Sequence, residues 1–385
     1  MMRFAIFLFF VFLLNFNTYS QNINRAKKLI KKLSSKEFEG RGYVNNGAEK
    51  AGKYLSKQFK KTGLKPFNAK HYFQDYTFNV NTFPGNIELY ADGRKLVPGK
   101  HFLVTPESNG IKGVFNMSRK DSLYWVSEQI SGETPLIAEY VKKLTWSVAT
   151  EQAPYCHLQF LKDSFPSEIK KIEITLQQQF LRDYRQTNIC GYIPGTEFPD
   201  SFLVISAHYD HLGKMGNQVF FPGANDNASG VSMLMELAHF FAKNPQKYSV
   251  AFLLFSGEEA GLLGSAYFVN HPLIPLTKIR FLLNLDLLGT GDEGITVVNA
   301  TEYPVPFSHL KNINESKNLL PQIKPRGKAK NSDHYWFTER GVPSFFIYTM
   351  GGIKAYHDVY DIPETLPLTK FYEVFILLRD FVISY

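Results

Sequence analysis

Cysteine is nearly missing from this chain of 385 residues: Cys156 and Cys190 are the whole complement. The pair can close one disulfide or remain thiols, and Cys190, inside the apolar run Ile189-Cys-Gly-Tyr-Ile193, suits a buried thiol equally well. No cysteine lies near the apolar amino terminus, which excludes a lipoprotein signal. Beyond that terminus no stretch approaches the about 18 apolar residues that a membrane-spanning helix needs. Internal repeats and low-complexity segments are also missing, so the chain is neither fibrous nor disordered. The net charge of +8 is spread out, with no basic stripe interleaved with aromatics, which marks a solvated surface and not a nucleic-acid site. No G-x-S-x-G and no Cys/His arrangement offers a nucleophile.

What the sequence does have is apolar mass and a few dense polar motifs. Apolar residues make up 44% of it, enough for a large core and one big domain with an elaboration. At the amino terminus Arg3 precedes the apolar run Phe4 to Leu14 and the small polar Asn17-Thr-Tyr-Ser20. This is the pattern of a signal peptide over residues 1–20, with cleavage near Ser20 or Gln21. A secreted or periplasmic protein is expected, with no stable membrane insertion after cleavage.

Helical spacing of Ala26, Leu29, Ile30 and Leu33 predicts a short amphipathic helix ended by Ser34-Ser35. Asn45-Asn46 should cap a second helix, with Ala48, Ala51, Leu55 and Phe59 on one face and Gly63 as its carboxyl-terminal cap. Alternation in Tyr76-Thr-Phe-Asn-Val80 and Ile87-Glu-Leu-Tyr90 marks strands. Residues 21–81 therefore form the amino-terminal helices and first strand of the main domain. Residues 82–170 lack parallel-strand runs and ligand clusters and are expected to be an inserted β-rich subdomain or lid, with Trp125 and Trp146 filling a small core. Ile172-Glu-Ile-Thr-Leu176 and Asn188 to Ile193 should return to the main sheet, opening a catalytic domain over residues 171–385. Further strands are expected at Ile295 to Val298 and Ser344 to Tyr348, a loop from Gly351, and a closing helix from Glu364 to Tyr385.

The stretch from Phe202 to Gly289 organises the rest. Phe202-Leu-Val-Ile-Ser-Ala207, Val250-Ala-Phe-Leu-Leu-Phe255 and Phe281-Leu-Leu-Asn-Leu285 have the continuous hydrophobicity of strands buried on both faces of a parallel sheet. Polar residues follow each run: His208-Tyr-Asp210, Glu258-Glu259 and Asp286. A polar loop holding Asp226 opens the helix between the first two. Ligands gather outside the carboxyl ends of such strands, so these elements converge on one crevice. Residues two apart on an extended chain point the same way, so His208 can bind a metal while the Asp210 carboxylate takes its other ring N–H. Asp226 can offer one oxygen to each of two metals. The adjacent Glu258 and Glu259 point in different directions, so one can coordinate while the other moves protons on water. Asp286 and His357 complete two nitrogen- and oxygen-rich sites, a set suited to zinc. Two zinc ions that activate one water and polarise a carbonyl imply amide hydrolysis, with Glu258 as general base. His211 reads as a satisfied loop histidine.

Ala207-His-Tyr-Asp-His211, Gly223-Ala-Asn-Asp-Asn-Ala-Ser-Gly230, Ser256-Gly-Glu-Glu-Ala-Gly-Leu-Leu-Gly-Ser265, Asn284-Leu-Asp286, Ser332-Asp-His334 and Tyr356-His357 occur in this order. Together they resemble the co-catalytic dizinc aminopeptidases, metallopeptidase family 28. The agreement runs from residue 186 to the carboxyl end, and Phe38-Glu-Gly-Arg-Gly42 extends it loosely toward the amino terminus. The resemblance implies an α/β three-layer sandwich: a mixed, mostly parallel sheet of eight strands between helices, the zinc exopeptidase fold. It implies two Zn2+ ions per chain, one held by His208 and Asp286, the other by Glu259 and His357, with Asp226 between them. Glu258 falls on the family's general base, Asp210 on the residue orienting the first histidine, and Tyr356 on a phenol that steadies the oxyanion. The Asp226–Asn227 bond is expected to be cis. Asp333 and His334 match a motif expected to support the site from behind, and the insertion stands where many members carry a protease-associated domain.

The function expected is an exported zinc aminopeptidase acting on peptides with a free amino terminus. Tyr335, Trp336, Phe337, Tyr348 and Met350 are expected to line a pocket for a large hydrophobic first residue. The same superfamily holds single-zinc glutaminyl-peptide cyclotransferases, carboxypeptidase-type members and non-catalytic binding ectodomains, and a metal count separates several of these. Gly289-Thr-Gly-Asp-Glu-Gly294 fits G-x-G-x-x-G, but Asp292 and Glu293 would repel a pyrophosphate and a β-run follows where a helix is needed.

Overall fold

A computed structural model describes residues 21–68, 70–128, 134–164 and 168–385. The signal-peptide reading falls on residues 1–20, outside that range. The three apolar runs become the strands Phe198–His208, Tyr248–Phe255 and Ile279–Leu285, which are parallel neighbours at the centre of the main sheet. Their hydrophobicity is continuous because both faces are covered. In the strand Tyr248–Phe255, Val250, Phe252 and Leu254 enter one core while Ala251, Leu253 and Phe255 enter the other. Helices Ile23–Leu33, Gly47–Thr62, Gly230–Lys243 and Phe371–Ser384 cover the first face, and Leu263–Asn270 and His334–Glu339 the second.

Among the described residues the main sheet has nine strands. Their order is Lys65–Pro66, Gln179–Ile193, Tyr248–Phe255, Phe198–His208, Ile279–Leu285, Ser344–Thr349, Ile295–Val298 and Ile323–Arg326, with Phe73–Thr82 on Gln179–Ile193. The centre is parallel; Gln179–Ile193 and Ile295–Val298 run antiparallel to the strands inward of them. The first helix buries Ala26, Ile30 and Leu33. The second ends at a left-handed Gly63, φ +89°, as its sequence requires, whereas Asn46 precedes it without a side-chain cap.

A second sheet of eight strands, with its own core, lies between Ile87 and Leu176. It takes in Lys171–Leu176, which the sequence had directed to the main sheet. That strand pairs instead with Ile87–Ala91 and Ile111–Arg119, because its alternation sends Ile172, Ile174 and Leu176 into the second core. The chain returns to the main sheet only with Gln179–Ile193. Trp125 is buried edge-on against Tyr140, and Trp146 stacks on Phe221 at 4.8 Å. The second core also takes Leu212, Met215, Val219 and Phe221 from the main domain, so the two domains share apolar surface. Cys156 sits in this core and Cys190 in the main domain, both buried and free. The closing helix starts at Phe371, not Glu364, because Pro367 and a left-handed Leu368, φ +53°, interrupt it.

Candidate metal centre

Each strand end delivers one part of the centre. His208 is the last residue of Phe198–His208, Asp286 follows Ile279–Leu285 at once, and Glu258 and Glu259 stand just after Tyr248–Phe255. Asp226 lies in the turn Ala224–Ser229 before the helix Gly230–Lys243, and its bond to Asn227 is cis. His357 comes from the loop ahead of the closing helix. The structure brings these residues together. His208 Nε2 is 3.3 Å from Asp226 Oδ1 and 3.3 Å from Asp286 Oδ1. His357 Nε2 is 3.1 Å from Asp226 Oδ2 and 3.1 Å from Glu259 Oε2. Asp226 thus turns one oxygen toward each histidine.

The supporting contacts are largely ones the sequence did not reveal. His208 Nδ1 lies 3.2 Å from the carbonyl of Asp210 and 3.7 Å from its carboxylate, so the backbone oxygen, not the side chain, takes the ring proton. That acceptor leaves Nε2 as the atom turned to the carboxylates of the centre, and the one a metal would take. The Asp210 carboxylate instead accepts from Tyr43 Oη at 3.0 Å and the Glu258 N–H at 3.3 Å, tying the first strand end to the second. His211 does more than satisfy a loop: its Nδ1 donates to Glu259 Oε1 at 2.7 Å. Asp361 accepts the N–H groups of Asn225 and Asp226 at 2.8 and 3.0 Å. Ser332 Oγ donates to Asp286 Oδ2 at 3.1 Å and is itself held by Asn284, whose carbonyl accepts from Ser206. Asp333 accepts from Ser265 at 2.5 Å, behind the centre.

Arg41, from the loosely matching Phe38-Glu-Gly-Arg-Gly42, is fully buried. Its five N–H groups all meet backbone carbonyls: Tyr209, Leu33, Pro222, Gly223 and Asp226, at 2.7–3.1 Å. It pins the strand end bearing His208 to the turn bearing Asp226.

Electrostatics follow from packing this much charge in one place. Burial opposes a charge on His208 and His357, but the carboxylates around them win and raise both, His357 to about 11. Burial works against Glu259 too, yet His357, with His211 beside it, brings it down to about 2, and two histidine hydrogen bonds hold Asp226 well below the carboxylate range. Glu258 behaves oppositely: burial, reinforced by Glu259, Asp333 and Asp286, lifts it well above its ordinary value despite His208. Asp333, raised to about 7 by burial, has one oxygen without a partner among the described residues.

The donors fit two metal ions. His208, Asp226 and Asp286 present ligand atoms within 4.8 Å of one another, His357 gathers Asp226 and Glu259 at 3.1 Å each, and Asp226 belongs to both groups. Among the described residues the buried Asp286 Oδ1 makes no aligned hydrogen bond and has only His208 Nε2 beside it at 3.3 Å, so it is free to accept a metal ion that His208 would share. Nitrogen and carboxylate oxygen without thiolate is a zinc-type set.

The centre opens into a cavity of about 270 Å³ bordered by Leu287, Arg326, Asn331, Phe346, Tyr348 and Tyr356. Of the five residues expected to line an apolar pocket, only Tyr348 does so. Phe337 is turned under the sheet against Phe255 and Phe268, Trp336 packs on the same core, and Tyr335 stands against Trp336. Tyr356 is 45% exposed and stacks on His357 at 3.9 Å.

The sequence model of Peptidase family M28 matches residues 188–382. Aminopeptidase YwaD of Bacillus subtilis is 29% identical over 248 residues, which is 62% of this chain and 48% of that one. A probable zinc metalloprotease of Pyricularia oryzae is 37% identical over 112 residues, 28% of this chain and 22% of that one. The chain thus spans about half the length, or less, of these curated relatives. Among solved structures, BSAP, a zinc aminopeptidase from Bacillus subtilis, superposes with a TM-score of 0.69 at 18% identity over 94% of each chain. An aminopeptidase from Aneurinibacillus sp. strain AM-1 gives 0.67 at 19% identity over 94% of this chain and 93% of that one. At such identities these two likenesses speak for the fold.

Proposed function

The chain belongs to peptidase family M28, and on that premise we propose that it is an exported two-zinc aminopeptidase acting on peptides with a free amino terminus. The observation that carries this reading is Asp226, one oxygen toward His208 and the other toward His357. His208, Asp286 and Asp226 would hold one ion, and Glu259, His357 and Asp226 the other. Zinc bound there lowers the pKa of water toward neutrality and polarises the scissile carbonyl. Glu258, half-buried in the same cluster and with its pKa raised, takes the proton of the attacking water on its carboxylate and returns it to the leaving amine. Partial burial, with the carboxylates of Asp226, Glu259 and Asp286 nearby, raises the Tyr356 phenol as well, so it keeps its proton and donates to the oxygen that gains charge.

The cavity is small beside the roughly 300–1,000 Å³ of ordinary ligand pockets, which suits the end of a peptide. Leu287, Phe346 and Tyr348 on its wall favour a large hydrophobic first residue. A single-zinc cyclotransferase would leave two of these five donors without a role. Export rests on Arg3 and the apolar run after it. The test is hydrolysis of leucine anilide beside its N-acetyl derivative, followed by phenylalanine, alanine and lysine anilides. Cleavage confined to the free amine, fastest for leucine or phenylalanine, is expected. Equal cleavage of the acetylated substrate would contradict the aminopeptidase reading, and a flat profile the hydrophobic preference.

A further inference from the structure

Most donors of the metal centre sit at or near the ends of buried strands, but His357 does not. It lies between Gly351 and Ile362, a stretch outside any helix or strand, and at φ +54° it holds a conformation unfavourable for a residue with a side chain. Much of what fixes it comes from the other domain. Lys143 Nζ donates to the carbonyls of Lys354 and Tyr356 at 3.1 and 3.2 Å and pairs with the Asp358 carboxylate at 3.2 Å. The Trp146 backbone N–H donates to the carbonyl of His357 at 2.9 Å. Asp358 passes the restraint on by accepting the N–H groups of Tyr356 and Tyr360. The second domain therefore grips the backbone at His357 and on both sides of it.

The grip has a firm base. Trp146 donates its indole N–H to the carbonyl of Val104 at 2.8 Å and stacks at 14° on Phe221, which lies just before the turn bearing Asp226. The Val104 N–H in turn points at Met215 Sδ. One apolar seam thus joins the second sheet, the segment between His208 and Asp226, and the loop of His357. An ordinary surface lysine has no need of three acceptors within five residues of one loop.

We propose that the inserted domain is part of the framework of the metal centre, with Lys143 a positioning residue that holds His357 where it meets the second ion. This rests on the two-zinc reading above. It recasts the insertion from a cover over the cavity to a component without which one of the two sites is loose. Removing a group that orients a ligand from behind lowers metal affinity by about 10–100-fold in characterised sites, and Lys143 is half exposed, so replacing it leaves the core intact.

The experiment uses the full mature chain as wild type, Lys143→Met, Lys143→Arg and, as a control elsewhere in the same domain, Lys120→Met. Hydrogen exchange is followed on the metal-free proteins over residues 351–361, and the two zinc affinities are measured by competition with a chelator. In Lys143→Met, exchange over 351–361 should rise at least about tenfold with the rest of the chain unchanged. One of the two zinc affinities should fall about tenfold with the other unaffected. Lys143→Arg should recover most of both effects, and Lys120→Met should show neither. Unchanged exchange in Lys143→Met, or raised exchange with both zinc affinities intact, overturns the proposal. If the wild type takes up fewer than two zinc ions, the two-zinc reading fails, and the exchange data still decide whether Lys143 holds the loop.

Discussion

Replacing Arg41 by Met tests whether the centre is built from behind by a buried cation. The side chain is fully buried, and its five N–H groups meet five carbonyls drawn from the first helix, the His208 strand end and the Asp226 turn. Methionine fills much of the volume but donates nothing, so five buried acceptors lose their partner, at about 1–2 kcal/mol each. Some of that is returned, because burial makes the charge itself costly. Desolvation pulls the guanidinium down from 12.5 to about 10, even with Asp226, Asp361, Asp210 and Glu259 nearby. A shift of this size corresponds to about 3 kcal/mol. The balance is a loss of roughly 2–7 kcal/mol, a range that spans the about 3–5 kcal/mol seen when buried charge pairs are broken. Equilibrium urea unfolding of the zinc-free chain should show the main-sheet transition moved down by roughly 1 M. Arg41→Lys keeps the charge and at most three donors and should fall between the two. A midpoint for Arg41→Met within about 0.3 M of wild type would mean that the five bonds contribute little, and the account of how Asp226 is held would be wrong.

Glu258→Gln should keep its zinc and lose at least about a hundredfold in kcat, the lower end for a general base; a loss below about tenfold would remove Glu258 from the mechanism. His334 is buried and held neutral by desolvation, its pKa lowered to about 3. The unfolded chain therefore binds a proton at this residue below about pH 6.5 while the folded chain does not, and stability falls by up to about 1.4 kcal/mol per pH unit on acidification toward pH 3. His334→Gln should flatten that slope between pH 6 and 4 in urea titrations, and an unchanged slope would show that His334 takes up a proton without unfolding. Cys156 and Cys190 are buried, free and raised well above the ordinary thiol range, so a thiol reagent should label neither in the native protein and both in denaturant. Rapid native labelling would contradict their placement.

The main sheet was legible because its signal is local. Runs such as Val250 to Phe255 can only be buried on both faces, and the polar residues after them must then stand at one edge. Five candidate donors, His208, Asp226, Glu259, Asp286 and His357, do meet there. The supports were hidden because they depend on long-range contacts. Four of the five carbonyls that Arg41 reaches are 168 to 185 residues away, and a backbone acceptor has no sequence signature. Tyr43 finds Asp210 across 167 residues. Alternation in Lys171–Leu176 announced a strand but could not name its sheet, since either core would bury the same three side chains. The pocket failed on helical geometry: Tyr335, Trp336 and Phe337 are consecutive on the helix His334–Glu339, point in different directions, and so cannot all face one cavity.

Zinc content and activity, measured together, decide the central claim. The mature chain would be purified, its zinc counted, and leucine-anilide hydrolysis followed before chelation, after it, and after zinc is returned. The account predicts two zinc ions per chain, with activity lost on chelation and restored only as the second site refills. One zinc without hydrolysis, or hydrolysis that survives complete metal removal, would contradict it.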